Sequence, residues 1–184
     1  LIEFNDAQSL QNISEEDSYH SMLDILGSDV DSVQAAIYLI ALRMKRETMD
    51  ENIGSLKALI DKSNIITSSV DEVIDIAEPY NGFLRNTPMS SFLPAVFSSV
   101  GLPCVTHGVE TVGPKFGLTI KKILKTAGIN VDQDVESAAS ALSTQNLGWA
   151  YIDQEKFCQP LYKLVELRTR MVKRTILTTI EVLV

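Results

Sequence analysis

The segment from Gly101 to Gly128, GLPCVTHGVETVGPKFGLTIKKILKTAG, has residue types and spacing suited to holding an anion. Leu102 to Val105 is a short apolar run that begins an inner strand. The chain is then expected to turn at His107-Gly108 and pass through Gly113, Pro114, Lys115 and Gly117. Thr119 caps a helix carrying Ile120, Ile123, Leu124 and Ala127, and Gly128 closes it. A glycine-rich connection between strand and helix offers backbone N–H groups and a helix N-terminus, both suited to phosphate. Only two histidines are present, His20 and His107, too few and too isolated for a histidine-rich zinc site. No carboxylate partner can be assigned to His107, so shaping the loop is its expected role. No catalytic residue and no metal ligand is assigned.

The elements that must position this segment follow from apolar periodicity. Asp31 with Gln34 opens a helix whose stripe reads Val33, Ala36, Ile37, Ile40, Ala41 and Met44. Thr48 with Glu51 opens a second, carrying Met49, Ile53, Leu56 and Ile60. Core packing is the ordinary reading of such stripes. Ser63 to Ser69 is polar at both ends and marks a boundary. Residues 1–64 then form an acidic N-terminal segment with a helical domain, and residues 70–184 the first portion of an α/β domain. Beyond the boundary, strands at Val73–Ala77, Leu102–Val105 and Trp149–Ile152 alternate with helices at about Ser90–Val100, Thr119–Ala127 and Val135–Thr144, with more helix from Pro160. That alternation predicts a partial parallel sheet flanked by helices, joined by right-handed crossovers.

Three segments carry a family resemblance. Gly101–Gly117 is similar to the G-x-P-V-x-K-H-G-N-R and S-K-x-G segments of the anthranilate phosphoribosyltransferase and pyrimidine nucleoside phosphorylase superfamily, glycosyltransferase family 3. Residues 35–48, AAIYLIALRMKRET, resemble its A-A-x-L-x-A-L-R-x-K-G-E-T signature, and residues 168–178, RTRMVKRTILT, its R-x-x-L-G-x-R-T-I-x-N segment. The resemblance implies a homodimer built through the N-terminal helices, or a place in a larger assembly. It also implies further α/β domain after Val184, including an acidic pair that holds Mg²⁺ in the enzymes, so the C-terminal part of the family fold is missing.

The departures from the enzyme pattern bear on activity. Where the enzymes place diphosphate on a G-T-G-G-D loop, this chain has Glu78-Pro79-Tyr80-Asn81-Gly82. Proline removes a donor and Glu78 repels a diphosphate. Thr106, Val109 and Glu110 replace a lysine, an asparagine and an arginine, Glu110 being expected to face the same cavity, and Thr178 replaces the final asparagine. Tyr80-Asn81-Gly82, the Cys104–Val109 run and Phe157-Cys158-Gln159-Pro160-Leu161 resemble instead the bacterial paralogues of the family that lack the usual activity and bind nucleic acid. The resemblance thus implies a divergent, non-catalytic protein that binds nucleic acid without sequence preference. The alternatives are phosphoribosyl transfer from phosphoribosyl pyrophosphate to anthranilate, and a structural role in a larger assembly. No cofactor is expected, and Mg²⁺ only with the enzymatic alternative.

Anion candidates on this reading are Asn81, Gly82, Ser90, Ser91, His107, Gly108, Lys115 and Gly117. Ser90 and Ser91 serve equally well as helix caps, the preferred reading. A basic patch is formed by Lys163, Arg168, Arg170, Lys173 and Arg174, with Arg168 matching the arginine that binds the aromatic acid in the enzymes. Lys115, Lys121, Lys122 and Lys125 form a second cluster. The net charge of -8 does not exclude a polyanionic partner. Residues 1–31 hold eight acids and no Lys or Arg, leaving 16 acids and 16 bases in the rest. The aromatics Tyr80, Phe83, Tyr151, Phe157 and Tyr162 are scattered and do not make a base-stacking platform. Cys104 and Cys158 are expected to be reduced core thiols. Hydrophobic residues make up 45% of the chain, yet no apolar run reaches the roughly 18–20 residues of a membrane span. The expected setting is soluble and reducing, either cytoplasm or an organelle interior after removal of a presequence.

Overall fold

A computed structural model describes residues 11–184. The acidic residues Glu3 and Asp6 lie outside the described residues. Three helices come first: α1 (Glu15–Gly27), α2 (Ser32–Lys45) and α3 (Met49–Asp61). Each has a side-chain cap. Ser14 accepts from the Asp17 N–H, and both Asp31/Gln34 and Thr48/Glu51 form complete capping boxes. The helix α1 has little net hydrophobicity, and only Met22, Ile25 and Leu26 of its apolar residues are buried. Acidic residues fill its first turn, which suits the helix N-terminus and gives the N-terminal acidity a local role.

The expected core stripe of α2 needs correction. Ala35, Leu39 and Leu42 face the core, whereas Val33, Ile37 and Met44 are 54–71% exposed. Of the expected stripe Ala41 alone is fully buried, and Ala35, Leu39 and Leu42 make up the rest of the inward face. Its core also recruits residues from far along the chain: Phe157, Cys158, Leu161, Ile176, Leu177 and Ile180 join Met22, Leu39 and Leu59 in one cluster.

The remaining elements are β1 (Ile74–Ala77), a 3-10 turn (Met89–Phe92) running into α4 (Leu93–Ser99), β2 (Cys104–Gly108), α5 (Ile120–Thr126), α6 (Val135–Leu142), β3 (Trp149–Asp153), α7 (Gln154–Phe157), α8 (Gln159–Met171), α9 (Leu177–Ile180) and a final 3-10 turn (Glu181–Leu183). The three strands form a parallel sheet in the order β1-β2-β3. Thr106 stands between Ile76 and Tyr151, and Gly108 is paired with Asp153. The helix α5 packs through Ile120 and Leu124 on the Tyr151 face, and α6 packs through Ala138 and Ala141 on Ala150 of the other face. The fold class is as the apolar pattern predicted, but α1 falls in the stretch expected to be an acidic segment before the first helix. His107 and Gly108, expected in a turn, are instead the last residues of the central strand. Among the described residues, no helix is long and apolar enough to cross a membrane.

Candidate functional site

The carboxyl ends of β1 and β2 open onto a cleft, the place where open α/β sheets ordinarily take ligands. Glu78, Pro79 and Tyr80 form one wall, His107, Gly108 and Val109 the floor, and Thr119, Ile120 and Lys121 the opposite wall. It is narrow and open to solvent, with a cavity volume of about 10 Å³, room for about one water molecule.

His107 is buried between Tyr80 and the half-exposed Asp75, which corrects the expectation that it has no carboxylate partner. Its Nε2 lies 3.3 Å from Asp75 Oδ2, and its Nδ1 is hydrogen-bonded to the hydroxyl of Tyr80. The rings of Tyr80 and Phe157 both meet the imidazole edge to face, at 5.6 and 5.7 Å. With Nε2–H donating to Asp75 and the Tyr80 hydroxyl donating to Nδ1, a neutral imidazole satisfies both partners. Burial pushes the Tyr80 phenol well above its ordinary value, and the nearby carboxylates add to this. Asp75 is readable in sequence only as a lone charge within a strand. Nothing in the sequence ties it to His107, 32 residues away.

On the opposite wall Lys121 is buried, its Nζ 2.6 Å from Asp153 and 3.4 Å from Asp132. Burial opposes its charge, but the two carboxylates outweigh burial and hold the ammonium above its ordinary range. Lys125 pairs with Glu110, both half exposed, so Glu110 turns to solvent and does not line the cleft. Lys122 donates to Gly117 O at 3.0 Å. The cluster that looks purely basic along the chain is thus engaged by acids and carbonyls from elsewhere. Several deeply buried polar groups nearby have no partner: both side-chain polar atoms of Asn81, the hydroxyls of Thr106 and Tyr151, and both polar atoms of Gln154.

The anion candidates fall into two groups. Asn81, Gly82, Lys115 and Gly117 lie together: the Gly117 N–H donates to Asn81 O at 2.9 Å, and Lys115 Nζ donates to Gly82 O at 3.4 Å. Two backbones cross here. A Cβ on Gly117 would come within 2.6 Å of Phe83 N, and one on Gly82 within 2.6 Å of Gly117 C. These glycines therefore serve the contact between two loops. Ser90 donates to the carboxylate of Glu78, which holds that acid at the cleft. Ser91 is fully buried and donates to Pro88 O at 2.8 Å. Neither serine caps the helix, because the turn begins at Met89 after Pro88 and has no side-chain cap.

Arg168 is not part of an exposed basic patch. It is 1% exposed and makes a bidentate pair with the fully buried Glu181, at 2.5 and 2.8 Å. Nor do the remaining cations share one helix, since α8 ends at Met171 and Val172 turns left-handed with φ 53°. Lys163, Arg170, Lys173 and Arg174 are exposed, with no ion-pair partner among the described residues.

Residues 6–63 match the glycosyl transferase family helical bundle domain. Along 94% of its length the chain is 27% identical to the anthranilate phosphoribosyltransferase of Methanothermobacter thermautotrophicus, covering 47% of that protein. It is 29% identical over 76% of its length to the corresponding protein of Geobacillus kaustophilus, covering 40% of it. In structure it is similar to the anthranilate phosphoribosyltransferase of Thermus thermophilus, with a TM-score of 0.75 at 18% identity, covering 92% of this chain and 50% of that one. The chain thus carries the family's helical bundle domain at residues 6–63 and is similar to anthranilate phosphoribosyltransferases along most of its length.

The chain spans about half the length of the curated relatives it matches. A solved relative from Saccharomyces cerevisiae, in complex with PRPP and Mg, has a TM-score of 0.72 over 91% of the chain at 16% identity. That likeness shows the fold. Among the described residues no three His, Cys, Asp or Glu side chains are grouped to hold a metal ion. They do not by themselves fit a Mg²⁺ centre. Cys104 and Cys158 are free and buried, and burial raises the Cys104 thiol to about 11, which keeps it protonated and unreactive.

Proposed function

We propose that the protein carries out phosphoribosyl transfer of the anthranilate phosphoribosyltransferase kind, with the described residues supplying roughly the first half of the fold. The supporting observation is that similarity to a protein of that name runs through 94% of the chain and so includes every element around the cleft. The cleft also lies at the strand ends, where this class of sheet binds ligands. Glu78 and Pro79 modify the donor side. A carboxylate held by Ser90 and a residue without an N–H stand where a diphosphate needs donors, so the donor binds weakly and its KM is high.

A second reading, non-catalytic binding of nucleic acid, is favoured by one observation: Lys163, Arg170, Lys173 and Arg174 are exposed and unpaired among the described residues. Such a surface would engage phosphates without reading sequence. The outward stripe Val33, Ile37 and Met44 on α2 supports self-association in either case.

The test uses the full-length protein with phosphoribosyl pyrophosphate, Mg²⁺ and anthranilate. Product formation with a donor KM well above the ordinary micromolar to millimolar range supports the first reading. No product at saturating acceptor, together with salt-dependent binding of unrelated nucleic acids, supports the second.

A further inference from the structure

The 3-10 turn at Met89–Phe92 and α4 carry an apolar stripe that the described residues leave uncovered. Met89, Leu93, Val96 and Val100 follow one another at spacings of four, three and four, and they are 68, 39, 55 and 69% exposed. Phe92 and Leu102 flank the stripe and are also exposed. The other side of the same segment is anchored: Ser91 and Pro94 are buried, and Ser98 donates to Leu147 O ahead of β3. The segment therefore already packs on the sheet through one side and offers the other.

The offered side has no charge. From Asn86 to Val109 there is no Asp, Glu, Lys or Arg, whereas the exposed apolar residues of α2 share their helix with Arg43 and Lys45 and are preceded by Asp31. A contiguous apolar patch marks an interaction site, and depletion of charge marks the core of an interface. The sheet beside it is also short of neighbours. Its three parallel strands leave β1 and β3 as edges among the described residues, yet parallel sheets are ordinarily wider and covered on both faces.

The lengths of the relatives identify what covers the stripe. The chain matches the Thermus thermophilus structure over 92% of itself and only 50% of that chain, and it covers 47% of the Methanothermobacter thermautotrophicus protein. A half of that size needs an apolar surface against which the other half packs, and the uncharged side of α4 meets that need better than the charge-flanked side of α2. We propose that the stripe on the 3-10 turn and α4 is the docking surface for the remaining half of the fold, carried on the same polypeptide. The docking is independent of phosphoribosyl transfer and of any contact between copies through α2.

Thiol labelling of the full-length protein tests this, since the native Cys104 and Cys158 are both buried. Val96→Cys and Val100→Cys react with a maleimide at least about 100-fold more slowly than Asp50→Cys, an exposed position in the first turn of α3, and as fast as it in denaturant. The protection is unchanged by dilution from about 100 μM to about 1 μM. Melting curves verify that each variant is folded, and the two positions test the stripe separately. Labelling of both at the Asp50→Cys rate overturns the proposal. Protection that is lost on dilution assigns the stripe to a second copy, and protection that appears only with phosphatidylcholine liposomes assigns it to a lipid surface; either result overturns the proposal too. Absence of phosphoribosyl transfer leaves it standing.

Discussion

Glu51 in the helical bundle and Tyr151 beneath the cleft are equally buried, but their polar atoms fare differently. Glu51 accepts from Lys45 Nζ at 2.6 Å, the Thr48 N–H at 2.8 Å and the Ile13 N–H at 2.9 Å, while Ser18 and Ser55 pair beside it at 2.9 Å. In the bundle and the residues packed on it, single atoms of Tyr38, Asn52, Thr175 and Thr178 remain unpaired among the described residues. Around the cleft, Asn81, Thr106, Tyr151 and Gln154 are all unsatisfied. The bundle pairs its buried charges internally. The sheet end leaves more of its buried polar groups unpaired than the bundle does.

The largest expected effect tests the closed side of this contrast. Glu51→Ala strands the buried ammonium of Lys45 and should cost about 3–5 kcal/mol in denaturant unfolding, and Arg168→Ala, which strands Glu181, should cost a similar amount. Arg168→Ala should leave any nucleic-acid affinity of the folded protein unchanged. A loss below about 1 kcal/mol for both variants would show that these pairs do not hold the fold. Burial opposes ionisation of Glu51, but hydrogen bonds from Lys45, Thr48 and Ile13 outweigh it and hold its carboxyl below the usual range. Its contribution is therefore complete above the ordinary glutamate value and lost as pH falls through the lowered one. Glu51→Gln should flatten the acid limb of the stability profile.

Next is Gly117→Ala, which forces a Cβ against the backbone of Phe83 and should cost roughly 2 kcal/mol through the loop crossing. A neutral result would mean that the two loops are not locked together. Smaller still is Ile37→Asp on the outward face of α2. Its effect on monomer stability should stay within about 0.5 kcal/mol, while sedimentation shifts from dimer to monomer. A parent protein that sediments as a monomer would remove the self-association reading.

Much of the architecture was legible in the sequence because its signals are local. The capping boxes at Asp31 and Thr48, the Thr119 cap and the apolar strand runs depend on neighbours within a few residues. The site was less legible because its partnerships are distant. Asp75 meets His107, Lys121 meets Asp153 and Arg168 meets Glu181 over 13 to 32 residues, so a run of cations in the sequence says little about which remain free. The α2 stripe was assigned correctly only at Ala41, because Val33 and Ile37 are large and apolar yet exposed, while Ala35, Leu39 and Leu42 carry the contact face.

The smallest expected effect concerns the exposed cations. If the nucleic-acid reading holds, Arg170→Glu with Lys173→Glu weakens binding about equally for unrelated sequences and lowers the salt slope by roughly one unit per lost contact. Absence of binding by the parent at low salt ends that reading.

Phosphoribosyl transfer by the full-length protein tests the central claim most directly, measured as anthranilate consumption with phosphoribosyl pyrophosphate and Mg²⁺ for the parent and for Glu78→Gln. The parent should form product with a high donor KM, and Glu78→Gln should lower that KM about fivefold to tenfold by removing a like charge from the donor side. No product from either protein at millimolar donor would contradict the account.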